Sequence, residues 1–527
     1  MKVSFSEQLG TRAIIQEADR WAASDLMSRL WAKDPTVWFD PAPGEIADRL
    51  GWLDLPKSAE RHLDGLEQLA EATRSHGISH VVLCGMGGSS LAPEVYAHSL
   101  VRESGYPDLI VLDSTHPDAV LAVDGRIDPA NTWFVISSKS GGTLETLSLF
   151  RYFWDRVAST TETPGSQFIA VTDPGSSLES LAADRDFRSV VLADPTVGGR
   201  YSALSAFGLT PAALIGADIR ALLHAGQAAA SLCGPSTPLR ANPAFVIAAA
   251  MATFARTGRD KTRFAGSGSG EQFGVWAEQL IAESTGKDGQ GIVPIDGGPD
   301  RFNAKDELLI AVGSDPTDAP IRMAFERSTD IAGAMFIMEL ATAIAGEILG
   351  IHPFNQPDVQ RAKALARAAM DGELSATDEP ASIRSPHLGT LLRNLLASRP
   401  RSYIAIQAYV EPTPATSDRL GELREILASI DGTATTVGYG PRFLHSTGQL
   451  HKGGPDGGLF VQLVDTPRNT VAVPETGYTF NDLITAQASG DRAALVASGR
   501  ELVSIDLGTE PAAALTGLNN LLREPAA

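Results

Sequence analysis

HVVLCGMGGSSLAP, residues 80–93, decides the fold. A short apolar run leads through glycines and serines into a stretch with helical character, which is the strand–turn–helix half of a parallel βαβ unit. Cys84 lies inside the apolar run and reads as a small buried residue. Working outward, DLIVLD (108–113), NTWFVISS (131–138), QFIAVTD (167–173) and SVVLAD (189–194) are four further short apolar strands. LETLSLFRYFW (144–154) supplies one of the helices between them. Short apolar strands alternating with helices predict a doubly wound α/β domain over residues 76–240. It ends in the Gly/Pro/Ser/Asn-rich stretch from Cys233 to Asn242.

On the N-terminal side, residues 1–75 read as a helical segment with Pro-rich breaks near Asp40 to Gly44 and no evident chemistry. On the C-terminal side, a second α/β region is expected over 241–475. Its strands would be ELLIAVG (307–313), SYIAIQAYV (402–410), ATTVGYG (434–440) and LFVQLVD (459–465), with helices over Gln272–Thr285 and Ile331–Leu349. Residues 476–527 add a strand–helix tail, LVSIDL and AALTGLNNLL.

The bulk numbers set limits. At 527 residues the chain is long enough for two or more full cores. A formal net charge of −20 argues against a general nucleic-acid binder while leaving room for a small anionic substrate held by local donors. Two cysteines make a disulfide framework implausible and fit a reducing cytoplasm. The N-terminus lacks the apolar core of a signal peptide, and the apolar run Ala244 to Ala255 is too short to span a bilayer. No membrane role is expected.

Two loops suit a phosphate. In GMGGSSLAP (85–93) glycines let backbone N–H groups approach an anion at a helix N-terminus, and Ser89 and Ser90 add hydroxyls. A structural turn and a dinucleotide site are the competing readings; the latter would want a glycine or alanine where Ser90 stands, with Asp113 ending the next strand. In SSKSGGTLET (137–146) Ser138, Ser140 and Thr143 gather hydroxyls at a second helix start. Its competing reading is a capping box from Thr143 to Thr146. No Walker or HExxH pattern occurs.

Two such loops in one domain resemble the sugar isomerase (SIS) domain. With VGGRYSALS (197–205), EQLIAESTGKDGQG (278–291), HPFNQPDVQRAK (352–363) and HSTGQ (445–449), the chain resembles the glucose-6-phosphate isomerase family over residues 78–465. The resemblance implies two SIS-like doubly wound domains with mainly parallel sheets flanked by helices, beside the helical N-terminal segment. It implies aldose–ketose isomerisation of glucose 6-phosphate and fructose 6-phosphate through an enediolate, without metal or organic cofactor, in a homodimer. Glu283 would be the proton-shuttling base, Arg200 the enediolate stabiliser, Lys363 the group acting on ring oxygen and hydroxyls, and His445 the aid to ring opening. Gly88, Ser89, Ser138, Lys139, Ser140, Gly141, Gly142, Thr143 and Gln279 would hold the sugar phosphate.

Three departures stand out. The second loop has the general SIS form rather than the bulkier family form. His352 and Asn355 replace the family's more usual Asn and Asp. The motif order Glu283, Lys363, His445 is that of the isomerase half of transaldolase fusions, although residues 1–75 are too few for a transaldolase barrel. A non-catalytic sugar-phosphate sensor and an isomerase of another hexose phosphate, such as mannose 6-phosphate, are the alternatives. The sensor would not need Glu283, Arg200, Lys363 and His445 together.

Overall fold

The computed structural model describes residues 1–9, 12–298, 306–370, 379–397 and 401–523. The chain opens with a strand, β1 (Lys2–Phe5), followed by short helical pieces and the helices Arg12–Ala23, Leu26–Trp31 and Leu63–Ser75. Five strands then build the first sheet: β2 (His80–Gly85), β3 (Asp108–Leu112), β4 (Thr132–Ser137), β5 (Phe168–Thr172) and β6 (Ser189–Leu192). Their order is β3-β2-β4-β5-β6, all parallel. All five match the stretches expected from sequence. The central three, β2, β4 and β5, are legible because strands covered on both faces read as continuous apolar runs. Every residue of β4 is buried.

This strand order places the reversal of winding direction between β2 and β4. Helices leaving these two neighbours cover opposite faces, so a crevice opens beyond their C-terminal ends. The two Gly/Ser loops leave from those ends, after Gly85 and Ser137.

The second sheet takes β7 (Lys261–Ser267), β8 (Val293–Asp296), β9 (Glu307–Gly313) and β10 (Ile321–Ala324) in parallel, and β1 pairs antiparallel at its β10 edge. The third sheet takes β11 (Ala381–Ser382), β12 (Tyr403–Tyr409), β13 (Thr435–Tyr439), β14 (Gly458–Val464) and β15 (Glu501–Asp506), ordered β11-β15-β14-β12-β13 and parallel throughout. The strands expected in one second region thus divide between two sheets: β9 lies in one, and β12, β13 and β14 in the other. The tail expected from LVSIDL and AALTGLNNLL joins the third sheet as β15 and the helix Pro511–Arg523.

The helix Asp330–Leu349 runs through the largest core and packs on the helices Pro243–Ala255 and Ile219–Leu232. It is long and apolar enough to cross a membrane, yet 94% of its most apolar window is buried inside the protein. Leu50, Trp52 and Leu53 of the N-terminal segment are buried in the same core. Trp52 packs on Tyr201 with ring centroids 5.0 Å apart, so this segment backs the loop that carries Arg200.

One face of the first sheet rests on aromatic packing. Phe134 stacks on Phe153 and Phe168 at 4.9 and 5.1 Å. Phe134→Ala should cost about 3–5 kcal/mol, read as a lowered thermal midpoint with loss of near-ultraviolet aromatic ellipticity.

Candidate active site

Glu283 sits in the last turn of the helix Phe273–Thr285, which follows β7. Its carboxylate Oε2 lies 3.1 Å from Arg200 Nε, and both side chains are nearly buried. Arg200 is held on all sides. Its Nη1 donates to the carbonyl oxygens of Glu283 (2.7 Å), Asn355 (3.3 Å) and Pro353 (3.4 Å). Its Nη2 donates to the Phe354 carbonyl (3.4 Å) and to the side-chain oxygen of Gln356. One guanidinium thereby joins the loop after β6, the catalytic-helix candidate and the segment leading to Lys363. Asp194, six residues before Arg200, is engaged elsewhere: it accepts from Thr196 and faces Arg61 at 3.9 Å.

Gln279, one turn before Glu283, donates through Nε2 to Glu283 Oε2 (3.3 Å) and to the His445 carbonyl (2.8 Å). His445 lies in the turn Arg442–His445, and its Nε2 is 2.9 Å from Glu145 Oε1. The unusual motif order therefore still delivers His445 beside the first sheet's second Gly/Ser loop. Glu145 is the residue that sequence reading missed. It stands in the first turn of the helix Leu144–Ala158, where an acidic residue ordinarily serves the helix dipole. Gln487 Nε2 also donates to it, at 2.8 Å. Burial pushes the Glu145 carboxyl up, but the charge and hydrogen bond of His445, helped by Lys363, outweigh burial and bring it down to about 2.

The glycines of the first loop allow a close approach. Gly87 has φ +55°, and a Cβ there would fall 2.7 Å from both Gln279 Nε2 and the His445 carbonyl. A Cβ on Gly88 would fall 2.0 Å from the Gly199 carbonyl oxygen. Ser89 is buried in the same turn. Ser90 donates to Asp113, whose carboxylate is also 3.2 Å from Arg442. Asp113 is thus engaged within the protein rather than presented as a ribose acceptor.

In the second loop Ser138 and Thr143 exchange a hydroxyl hydrogen bond of 2.9 Å, and Ser140 Oγ accepts from the Gly142 N–H at 3.3 Å. Gly141 has φ +73°, and a Cβ there would meet Leu178 N at 2.4 Å. Thr143 begins the helix without a side-chain cap bond, so the capping-box reading fails and its hydroxyl stays with the loop. Lys139 points away from the loop hydroxyls: its ammonium pairs with Asp173 and donates to the Pro195 carbonyl at 3.0 Å.

Two cavities flank this network. One of about 490 Å³ is bounded by Gly142, Thr143, Glu145, Lys363, Tyr478 and Gln487. The other, about 330 Å³, is bounded by Lys139, Gly199, Arg200, Asn355 and Gln356. Lys287, from the Glu283 motif, is buried with its ammonium on the His352 carbonyl. Burial and then Arg200 hold Lys287 well below the usual lysine range. Neighbouring histidines and lysines have structural posts. His451 packs between Phe443 and Phe460, and Lys452 pairs with the buried Asp491 at 2.5 Å. Among the described residues, no group of three or more His, Cys, Asp or Glu side chains gathers as a metal site.

Paired serine-rich loops at the switch point of a parallel sheet, facing a buried Glu–Arg pair, define a protein of the phosphosugar-isomerase class. The fold matches the crystal structure of a glucose-6-phosphate isomerase from Chlamydia trachomatis with a TM-score of 0.53, at 18% identity over 71% of this chain and 81% of that one. The phosphoglucose isomerase family profile matches residues 62–293. A glucose-6-phosphate isomerase of Rubrobacter xylanophilus is 29% identical over 394 residues, 62% of this chain and 90% of the relative. One of Streptococcus thermophilus is 30% identical over 312 residues, 56% of this chain and 67% of the relative. The chain belongs to the phosphoglucose isomerase family.

Two outcomes test the geometry. Gly88→Ala must push the Gly199 carbonyl aside, and kcat/KM should fall by about 100-fold or more, while the thermal midpoint moves only a few degrees. Glu145 has a folded value near 2 against an ordinary 4.5. A depressed carboxyl contributes stability that is complete above its unfolded value and is lost as pH falls toward the folded one. The stability gap between wild type and Glu145→Gln should therefore be full at pH 5–7 and close between about 4.5 and 2. Thermal melts across that range would show it; a gap constant with pH would contradict the pairing.

Proposed function

We propose that this chain interconverts glucose 6-phosphate and fructose 6-phosphate through an enediolate, with Glu283 as the base. The carrying observation is the buried contact of 3.1 Å between Glu283 and Arg200. A carboxylate shielded from water can take a proton from C2 and return it to C1. A guanidinium, which cannot give up its proton, stabilises the negative charge that develops between those steps. The hydroxyl protons of O1 and O2 exchange in the same passage, so the reaction is redox-neutral and needs no outside electron carrier.

The loop hydroxyls of Ser138, Ser140 and Thr143, with Ser89, are the phosphate donors in this reading, and Gln279 positions the sugar. His445 and Lys363 serve ring opening. Glu145 fixes the orientation of the His445 ring through Nε2. The setting is the cytoplasm, consistent with two buried free cysteines, and the assembly is a homodimer, open to test by sedimentation equilibrium.

A coupled assay from fructose 6-phosphate to glucose 6-phosphate tests the reading. Glu283→Gln should lower kcat by about 10²–10⁴-fold while sugar phosphate still binds. A fully active Glu283→Gln enzyme would remove Glu283 as base, and a wild type that binds without turnover would leave a sensor.

A further inference from the structure

The cavity of about 490 Å³ beside Lys363 is closed on one side by the helix Phe480–Ala497, whose Gln487 stands in its wall with Thr143, Glu145 and Lys363. The match to the family profile ends at residue 293, well before this helix. The helix is placed tightly. A Cβ on Gly490 would fall 2.6 Å from the Ala366 Cα of the helix that carries Lys363. The two helix backbones are therefore in contact, and Gln487, one turn before Gly490, is held at a set distance from Lys363.

Gln487 is buried, and both ends of its amide are engaged. Its Oε1 accepts from the Thr115 hydroxyl at 2.7 Å, and its Nε2 donates to Glu145 Oε1 at 2.8 Å. The same Glu145 oxygen meets His445 Nε2 at 2.9 Å. The neighbours dictate which way the amide points: an ionised carboxylate only accepts, so the reverse orientation would set two acceptors face to face. Thr115 is wholly buried in the turn after β3. The next residue, His116, accepts the Asp118 N–H on Nδ1 at 3.2 Å and reaches Asp465 through Nε2 at 2.9 Å. That contact ties the turn to the end of β14. A chain of hydrogen bonds thus runs from Thr115 through Gln487 and Glu145 to the His445 ring.

We propose that Gln487 is a positioning residue for ring opening: fixed by Thr115, it holds the Glu145 carboxylate so that the His445 ring turns Nδ1 to the sugar. This rests on the isomerase reading for what His445 does. The physical reason is the number of independent elements that hold one carboxylate. Glu145 sits in the first turn of its own helix, where its side-chain torsions would be free. A donor delivered from a different helix removes that freedom, and a site held by such outer contacts keeps its reacting group in the productive geometry. Glu145 is ionised at neutral pH, which puts an N–H on His445 Nε2 and leaves Nδ1 as the ring nitrogen for the substrate.

The test uses the full chain with Gln487→Met, which keeps length and volume but loses the amide. It has two readouts: turnover of fructose 6-phosphate, and the Nε2–H resonance of His445 in protein labelled with ¹⁵N at histidine, assigned by its loss in His445→Gln. Gln487→Met should lower kcat by about tenfold or more and leave KM within about twofold, and it should shift or broaden the Nε2–H resonance. Thr115→Val reads the same link from its other end should Gln487→Met fold poorly; it should repeat the loss, and Thr115→Ser should recover most of it. In a His445→Gln background Gln487→Met should cost nothing further. An equal cost there would overturn the proposal, because Gln487 would then act by another route. Wild-type kcat and an unmoved resonance in Gln487→Met would also overturn it and leave the isomerase reading intact. A resonance that moves in Gln487→Met, in a protein whose wild type is inert towards fructose 6-phosphate, would uphold the positioning of His445 and sink the isomerase reading instead.

Discussion

The buried pair of Arg200 and Glu283 is the constraint on which the rest of the site depends. Removing two charges from water costs several kcal/mol each, and their attraction offsets that only when the remaining donors are satisfied. Here they are: four backbone carbonyls and Gln356 take up the Arg200 N–H groups, and Gln279 donates to Glu283. Loss of one partner would leave the other buried and unpaired. The pair therefore holds three segments in one arrangement: the loop after β6, the end of the helix after β7, and the residues before Lys363.

Around that pair the chain comes together through backbone contacts that only glycine permits. Gly88 meets Gly199, and Gly87 meets the His445 carbonyl and Gln279. The first loop has consequently two tasks. It leaves room at the end of β2, as a phosphate-accepting turn would, and it seats the histidine turn against the first sheet. The link continues from His445 to Glu145, and from Glu145 to Gln487 in the helix Phe480–Ala497. The third sheet's helices are in this way attached to the first sheet's second loop.

What could be read in the sequence was what local physics makes periodic. The five strands of the first sheet were visible as short apolar runs, and the central three, β2, β4 and β5, are almost wholly buried. β7 was not visible, since Lys261 and Arg263 interrupt its apolar pattern. The structure compensates them with Asp260 and Asp306 for Lys261, and with Glu307 for Arg263. β8 and β10 have four residues each, and β8 contains Pro294. Glu145 was hidden for a different reason: an acid in a first helical turn has an ordinary use, and nothing local announces a histidine at the far end of the chain.

The sequence by itself determined the parallel α/β architecture, the two Gly/Ser loops and the residue types of an isomerase, because strand burial, turn chemistry and motif spacing are short-range properties. Tertiary structure alone decided which of those residues meet. Arg200 and Glu283 are 83 residues apart, and Glu145 and His445 are 300 apart. Their contact depends on how three sheets stack and where each helix ends. It also decided that Lys139 turns to Asp173, which leaves the loop's hydroxyls without its cation. A side chain's partner is set by the nearest opposite charge in space, and no periodicity along the chain records that distance.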